Sequence, residues 1–169
     1  MIHFISDTHF GHKSTLLFGR PFSSVEEMDA TLIRNWNNVV KPEDTVYHLG
    51  DFAYKTSVNR ICSIFDMLNG EIVFIRGNHD GRTLNANNRR NRFKSIHDRL
   101  YIHLEGHDFV LDHYPLWSWQ NRKYGSIHLF GHIHQGTAFE ANNMLNVSVE
   151  NINYTPISIQ EVLNTIKKD

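Results

Sequence analysis

Cysteine is almost missing from this chain. The single residue, Cys62, cannot close an intrachain disulfide, which excludes a secreted disulfide scaffold and a cysteine-based zinc finger. Long apolar runs are also missing: the longest, Ile72 to Ile75, is far short of the roughly 20 residues that a membrane span requires. Neither sign of charge prevails, since 17 Lys and Arg oppose 18 Asp and Glu for a net charge of −1. No global field draws the chain to nucleic acid or to an anionic membrane, so any basic contact must be local. The opening Met1-Ile2-His3-Phe4 has neither a basic n-region nor an apolar h-region, so no signal peptide is expected and the cytoplasm is the expected compartment. Repeats, low-complexity tracts and linkers rich in Gly, Pro or Ser are lacking, which favours one domain over residues 1–169. What is present is an ordinary globular mixture, 40% apolar and 21% charged, together with an unusual 12 histidines.

Short apolar runs at Ile2 to Ile5, Val46 to Leu49, Ile72 to Ile75, Phe109 to Leu111 and Ile127 to Phe130 have the length and the β-branched or aromatic content of strands. Between the first three lie two stripes of helical period. Val25, Met28, Leu32, Trp36 and Val39 follow Ser23 and Ser24, which form possible capping boxes with Glu26 and Glu27. Val58, Ile61, Phe65 and Leu68 form the second stripe, closed by Asn69-Gly70. The first half therefore reads β-α-β-α-β, an α/β pattern with a parallel sheet. The second half reads antiparallel: Tyr101 to Leu104 and Asp108 to Leu111 flank a Glu105-Gly106 turn, and Leu145, Val147 and Val149 alternate as a further strand. Ser158 to Glu161 is a capping box opening a last helix with Val162, Leu163 and Ile166. Arg82 to Arg99, with six basic residues against Asp98, reads as a helical or irregular excursion above the sheet.

Each apolar run is followed at once by residues able to bind a metal: Asp7 and His9, then Asp51, then Asn78 and His79, then His113, then His132 and His134. In open α/β sheets ligands sit beyond the carboxyl ends of the strands, so these residues are expected to meet at one edge. Residues two apart in an extended segment share a face, which would let Asp7 with His9, and His132 with His134, address one site. Gly50, Gly77 and Gly131 stand next to the candidates, where backbone must come close to a bound group. Two Asp, one Asn and four His without a thiolate suit manganese foremost, with iron, zinc, nickel or magnesium as alternatives. Seven donors exceed one tetrahedral ion but suit two divalent ions sharing a carboxylate.

In order, the blocks Asp7-Thr8-His9, Gly50-Asp51, Gly77-Asn78-His79-Asp80, His113-Tyr114-Pro115 and Gly131-His132-Ile133-His134 resemble the calcineurin-like metallophosphoesterase superfamily. The match runs from Ile2 to His134. One block alone is weak, whereas five in order are specific. The opening Ile5-Ser6-Asp7-Thr8-His9-Phe10-Gly11-His12 and the short chain are most similar to small bacterial and phage-borne members. The resemblance implies a β-sandwich flanked by helices. It implies that Asp7, His9 and His134 hold a first metal, that Asn78, His113 and His132 hold a second, and that Asp51 bridges them. His79 would stay off the metals, steer the scissile phosphate and protonate or stabilise the leaving oxygen, with Asp80 hydrogen-bonded to its imidazole.

The expected function is dinuclear metal-dependent phosphoester hydrolysis, by in-line attack of a metal-bridging hydroxide. The favoured substrate is a phosphodiester in a small nucleotide or at a nucleic-acid end. The alternatives are a phosphomonoesterase or protein phosphatase, a non-catalytic metal-binding scaffold, and a nucleic-acid-binding protein with structural metals. No protein partner and no membrane contact are expected. His3, His48, His103 and His128 read as structural, and Cys62 as a core residue. The basic run from Arg82 reads as a solvated face, with substrate contact as its alternative. His12, Lys13 and Arg20 lie in the loop leaving the first block, where they could meet a phosphate. Trp117, Trp119 and Tyr124 read either as a stacking wall for a base or as packing.

Overall fold

A computed structural model describes residues 1–17, 19–136 and 142–166. Its elements run β1 (Ile2–Ile5), α1 (Ser14–Leu17), α2 (Val25–Val39), β2 (Thr45–His48), α3 (Val58–Met67), β3 (Glu71–Ile75), α4 (Gly81–Arg90), β4 (Phe93–His97), β5 (Arg99–Leu104), β6 (His107–Asp112), β7 (Ile127–Phe130), β8 (Met144–Asn146), β9 (Ile157–Ser158) and α5 (Ile159–Ile166). One sheet has the order β4-β3-β2-β1-β9 and the other β5-β6-β7-β8.

Helix starts follow local chemistry. Ser24 Oγ accepts the Glu27 N–H at 3.1 Å, and Glu27 Oε2 in turn accepts the Ser23 N–H at 2.8 Å. Ser57 caps α3 by accepting the Arg60 N–H at 3.2 Å. Ser158 and Glu161 form the reciprocal box of α5, with bonds of 2.8 and 3.3 Å.

Alternation along the strands divides the core in two. Ile5, Val46, Ile72 and Phe74 face α2, α3 and α4, where they pack with Met28, Leu32, Trp36, Ile61 and Phe65. Phe4, Tyr47, Leu49, Val73 and Ile75 face the second sheet and meet Phe109, Leu111, Ile127 and Leu129. The expected β-sandwich flanked by helices is present. Its first sheet is parallel from β1 to β4. The second half is not antiparallel throughout as expected: among the described residues, antiparallel pairing is confined to the β5–β6 hairpin and to β9 against β1. β6–β7 and β7–β8 run parallel, because their connections are long enough to carry the chain back rather than tight turns.

Two further expectations change. The segment from Arg82 is helical as far as Arg90 but is no excursion: α4 packs on α3, and β4 is the edge strand beside β3. Phe93 stacks on Phe74 at 4.3 Å and 8°, a strand signal hidden among cations. The expected strand at Leu145, Val147 and Val149 splits. β8 ends at Asn146; the Val147 N–H still donates to Phe130 O at 2.8 Å, while Val147 and Val149 clasp Ser6, whose N–H donates to Val147 O at 2.9 Å and whose carbonyl accepts the Val149 N–H at 3.1 Å. That stitch ties the sheets together where β1 ends.

Most of the basic run holds the fold. Arg92 donates to the carbonyls of Phe65, Leu68 and Gly70 at 3.3, 3.0 and 2.8 Å, satisfying the end of α3. Lys94 pairs with Glu71 at 2.6 Å and Arg99 with Asp112 at 2.6 Å. Arg92→Ala should lower the unfolding free energy by about 1–3 kcal/mol, because three carbonyls lose a shared donor. Urea denaturation followed by circular dichroism measures this, and an unchanged midpoint would contradict it.

Candidate metal centre

The loops after β1, β2, β3, β6 and β7 converge. Asp7, His9, Asp51, His132 and His134 adopt left-handed φ of 57°, 47°, 55°, 70° and 56°. Such backbone is strained for residues other than glycine and persists where surrounding packing imposes it. It also corrects the same-face expectation: neither Asp7 with His9 nor His132 with His134 lies on extended chain. The second pair diverges, so that His134 joins Asp7 and His9 while His132 joins Asn78.

Two trios form around a shared residue. In Asp7, His9 and His134, and again in Asp7, Asp51 and His113, one donor atom from each residue lies within 4.8 Å of the others. Asp51 Oδ2 spans the two groups, 3.6 Å from His9 Nε2 and 3.7 Å from His113 Nε2. Asn78 Oδ1 lies 3.0 Å from His113 Nε2 and 3.1 Å from His132 Nδ1. All seven candidate donors are thus brought together, from both sheets.

Four of them divide their two ends between scaffold and site. Asp7 Oδ2 accepts the His132 N–H at 2.9 Å and the Ser148 hydroxyl at 2.8 Å, leaving buried Oδ1 without a hydrogen-bond partner among the described residues. Asp51 Oδ1 accepts the His79 N–H at 2.8 Å, which leaves Oδ2 toward the histidines. His113 Nδ1 donates to Leu49 O at 2.8 Å, and His134 Nδ1 to Glu150 Oε1 at 2.8 Å, so each keeps the Nε2 lone pair. Neither ring nitrogen of buried His9 has a hydrogen-bond partner among the described residues. Orphaned buried donors of this oxygen and imidazole chemistry fit divalent cations, which would satisfy them.

Burial sets the protonation. It pushes the Asp7 carboxyl up, against nearby His113 and His134, and it holds the His9 and His132 imidazoles below the ordinary histidine value. Burial opposes the charged form of His134 too, but the Glu150 hydrogen bond and charge outweigh it and raise that pKa.

Glycines permit the approach. A Cβ on Gly77 would stand 2.2 Å from Asp51 Oδ1 and 2.6 Å from the Asp51 nitrogen. A Cβ on Gly131 would stand 2.3 Å from Asp7 Oδ2. Asp80 does not touch the His79 imidazole as expected. Its carboxylate accepts the N–H groups of Asp51, Phe52 and Gly77 at 2.8, 3.0 and 2.7 Å, lacing the β2 loop to the β3 loop. Burial pushes its carboxyl up to about 6 despite those bonds. The His79 ring lies against Tyr54 instead, 4.0 Å between centroids at 36°.

Arg20 is committed to the scaffold rather than offered to a phosphate. It donates to Asp7 O and Thr8 O at 2.6 and 2.8 Å and pairs with Glu150 at 2.8 Å. His12 lines a cleft of about 390 Å³ with His9, His79 and His134, and its ring nitrogens have no hydrogen-bond partner among the described residues. Trp119 is buried and donates to Ser126 O at 3.1 Å, so it packs, while Trp117 and Tyr124 are exposed. The four histidines read as structural have scaffold contacts: His3 faces Asp44, His48 bonds Thr8, His103 bonds Asp108 and His128 bonds Val110 O. Sequence reasoning missed Glu150, Ser148 and Tyr54, none of which sits in a motif.

A family model described as the calcineurin-like phosphoesterase superfamily domain matches residues 1–152. An uncharacterized protein of Methanocaldococcus jannaschii is 41% identical over 175 residues, covering 99% of this chain and 92% of its own. The gene 66 protein of Mycobacterium phage L5 is 31% identical over 157 residues, covering 78% of this chain and 76% of its own. The crystal structure of a protein of unknown function from Aquifex aeolicus superposes with a TM-score of 0.76 at 29% identity, covering 97% of this chain and 98% of its own.

Gly77→Ala should weaken binding of Mn²⁺ by roughly 10- to 100-fold, because the new Cβ displaces Asp51, and destabilise the fold by about 1–3 kcal/mol. Isothermal titration of the chelator-treated protein gives the first quantity and chemical denaturation the second. Wild-type Mn²⁺ affinity in the variant would show that Asp51 tolerates displacement.

Proposed function

The chain belongs to the calcineurin-like phosphoesterase superfamily, and on that footing we propose that it is a metal-dependent phosphoester hydrolase, one domain over residues 1–169, with a preference for diesters. The observation that carries this reading is the meeting of two donor groups at Asp7 and Asp51, with His79 tied by its N–H to Asp51 Oδ1 at 2.8 Å. In this reading Asp7, His9 and His134 would hold one divalent cation and Asn78, His113 and His132 a second, with Asp51 serving both. Manganese suits the donor set, and iron, zinc, nickel and magnesium are its competitors. When bound, such cations supply Lewis acidity, polarising phosphoryl oxygens and making water a better nucleophile.

The residues of the chain do the rest. Asp51 and Asp7 fix the spacing of the two groups through the oxygens that face inward. Glu150 and Leu49 O hold His134 and His113 in the tautomer that presents Nε2. His79, free of the donor trios, is the group that delivers a proton to the leaving oxygen or stabilises its charge, and Tyr54 fixes the plane of its ring. Support for a diester comes from the room around His79, which lines one cleft of about 390 Å³ and another of about 510 Å³. A phosphorus atom between them has space for a substituent on either side, as a nucleotide or nucleic-acid end would need. A monoester requires only one.

With Mn²⁺ added, bis(p-nitrophenyl) phosphate should be turned over faster than p-nitrophenyl phosphate, and the reverse order would favour a phosphomonoesterase. Metal uptake without hydrolysis across a broad phosphoester panel would favour a scaffold. Asp51→Asn should abolish turnover and reduce the total metal per chain retained after gel filtration, measured by plasma emission; full activity would refute the shared role. His79→Ala should retain its metal but lose roughly 10²- to 10⁴-fold in kcat. Near-normal rates in that variant would remove His79 from the chemistry.

A further inference from the structure

Building on the phosphoesterase reading, we propose that the cleft beside His79 walled by Lys55 and Arg82 binds a second phosphate of the substrate, so that the preferred substrate is a nucleotide diester carrying a further phosphate on the arm next to the scissile group. The two clefts that meet at His79 differ in charge. The smaller is lined by imidazoles and by one carboxylate, Glu150, already paired with Arg20. The larger, about 510 Å³, is lined by Ala53, Tyr54, Asn78 and His79 together with two cations, Lys55 and Arg82, and no carboxylate among the described residues lines it. Asn78 belongs to the candidate metal centre, so this basic cleft opens directly from it. A group held there is covalently close to the phosphorus under attack.

The cations are presented by a fixed loop. Arg82 Nη1 donates to Thr56 O at 2.8 Å, which ties the start of α4 to the residue after Lys55 and leaves the other guanidinium nitrogens for a ligand. Lys55 holds a left-handed φ of 52°, and its ammonium sits 5.3 Å from the Tyr54 ring centroid, whose ring in turn lies 4.0 Å from that of His79. A lysine kept in strained backbone, stacked on the residue that positions His79, is placed rather than loose. Most other cations of the neighbouring basic run are spent on partners: Arg92 on carbonyls, and Arg90, Lys94 and Arg99 on carboxylates. Lys55 and Arg82 have no carboxylate partner among the described residues, their contacts being the Tyr54 ring and Thr56 O. An ammonium with a guanidinium fork is suited to phosphate oxygens, and the same charge repels a further cation. The second phosphate could be a terminal monoester of a nucleotide or the next diester of a strand, which share this chemistry.

The test compares kcat/KM, with Mn²⁺, for thymidine 5′-(p-nitrophenyl phosphate) and for the same ester bearing a 3′-phosphate. The 3′-phosphorylated ester should be preferred by roughly 10- to 100-fold, the scale of a charge-assisted contact. Lys55→Ala should shrink that ratio toward one and Lys55→Arg should keep most of it, the ratio rather than either rate being the readout. Arg82→Ala should shrink it too, and its melting temperature checks that the loop anchored at Thr56 survives. A third ester, with the 3′-phosphate capped by a second nucleoside, separates the sources: retained preference identifies a strand, and lost preference a terminal phosphate. Equal turnover of the first two esters by the wild-type protein would overturn the inference while leaving the phosphoesterase reading intact. Hydrolysis of neither would strike at that reading instead. Calorimetry with thymidine 3′,5′-bisphosphate against thymidine 5′-phosphate then still judges the cleft, and equal affinities would overturn the inference.

Discussion

The structure is organised around donors, three buried and one half-buried, that are each tied to the scaffold at one end and left open at the other. Asp7, Asp51, His113 and His134 spend one polar atom on a backbone group or a fixed side chain, and the remaining atom faces its neighbours. An unpaired buried polar atom costs about 1–3 kcal/mol, so such a cluster destabilises the empty protein and is relieved by a cation. The cost is carried by the rest of the fold, and strained backbone at Asp7, His9, Asp51, His132 and His134 adds to it. Buried Asp80 and Arg20 act as braces: the first laces two loops through three N–H bonds, and the second straps the β1 loop to Glu150.

The donors come from both sheets, so the site exists only when the sandwich closes. Phe4, Leu49, Val73 and Ile75 of the first sheet pack on Phe109, Leu111, Ile127 and Leu129 of the second, which sets the separation between the loops carrying Asp7, Asp51 and Asn78 and those carrying His113, His132 and His134. The Ser6 clasp with Val147 and Val149 fixes the junction at the point where Ser148 reaches Asp7. Gly77 and Gly131 let the loops touch where a Cβ would collide with the carboxylates. Packing energy gained between the sheets is thereby converted into a fixed geometry at their edge.

Charge is divided between scaffold and site by burial and partner rather than by residue type. A net charge of −1 gives no field to attract a polyanion, yet the cleft at Lys55 and Arg82 is locally cationic. The run from Arg82 to Arg99, which looks like a single basic face in one dimension, is distributed among α4, β4 and β5, and most of its cations close helix ends or pair across elements.

Much of this was legible in the chain itself. The positions of β1, β2, β3, β6 and β7, the stripes of α2 and α3, and the caps at Ser24 and Ser158 follow from local periodicity and side-chain chemistry, which act over a few residues. The identities of the donors following each strand were readable for the same reason. Other features were not: β4 hidden among cations, the parallel pairing of β7 and β8, the role of Asp80 as a lace, Arg20 as a strap, and Glu150 as the partner of His134. Each depends on a contact between residues far apart in the chain, as in the 2.8 Å bond from His134 to Glu150 or the 2.6 Å bond from Arg20 to Asp7 O. The sequence determined which donors exist and that they end strands; tertiary packing alone decided which atom of each faces the site, because only the folded sheets bring a competing partner to its other end.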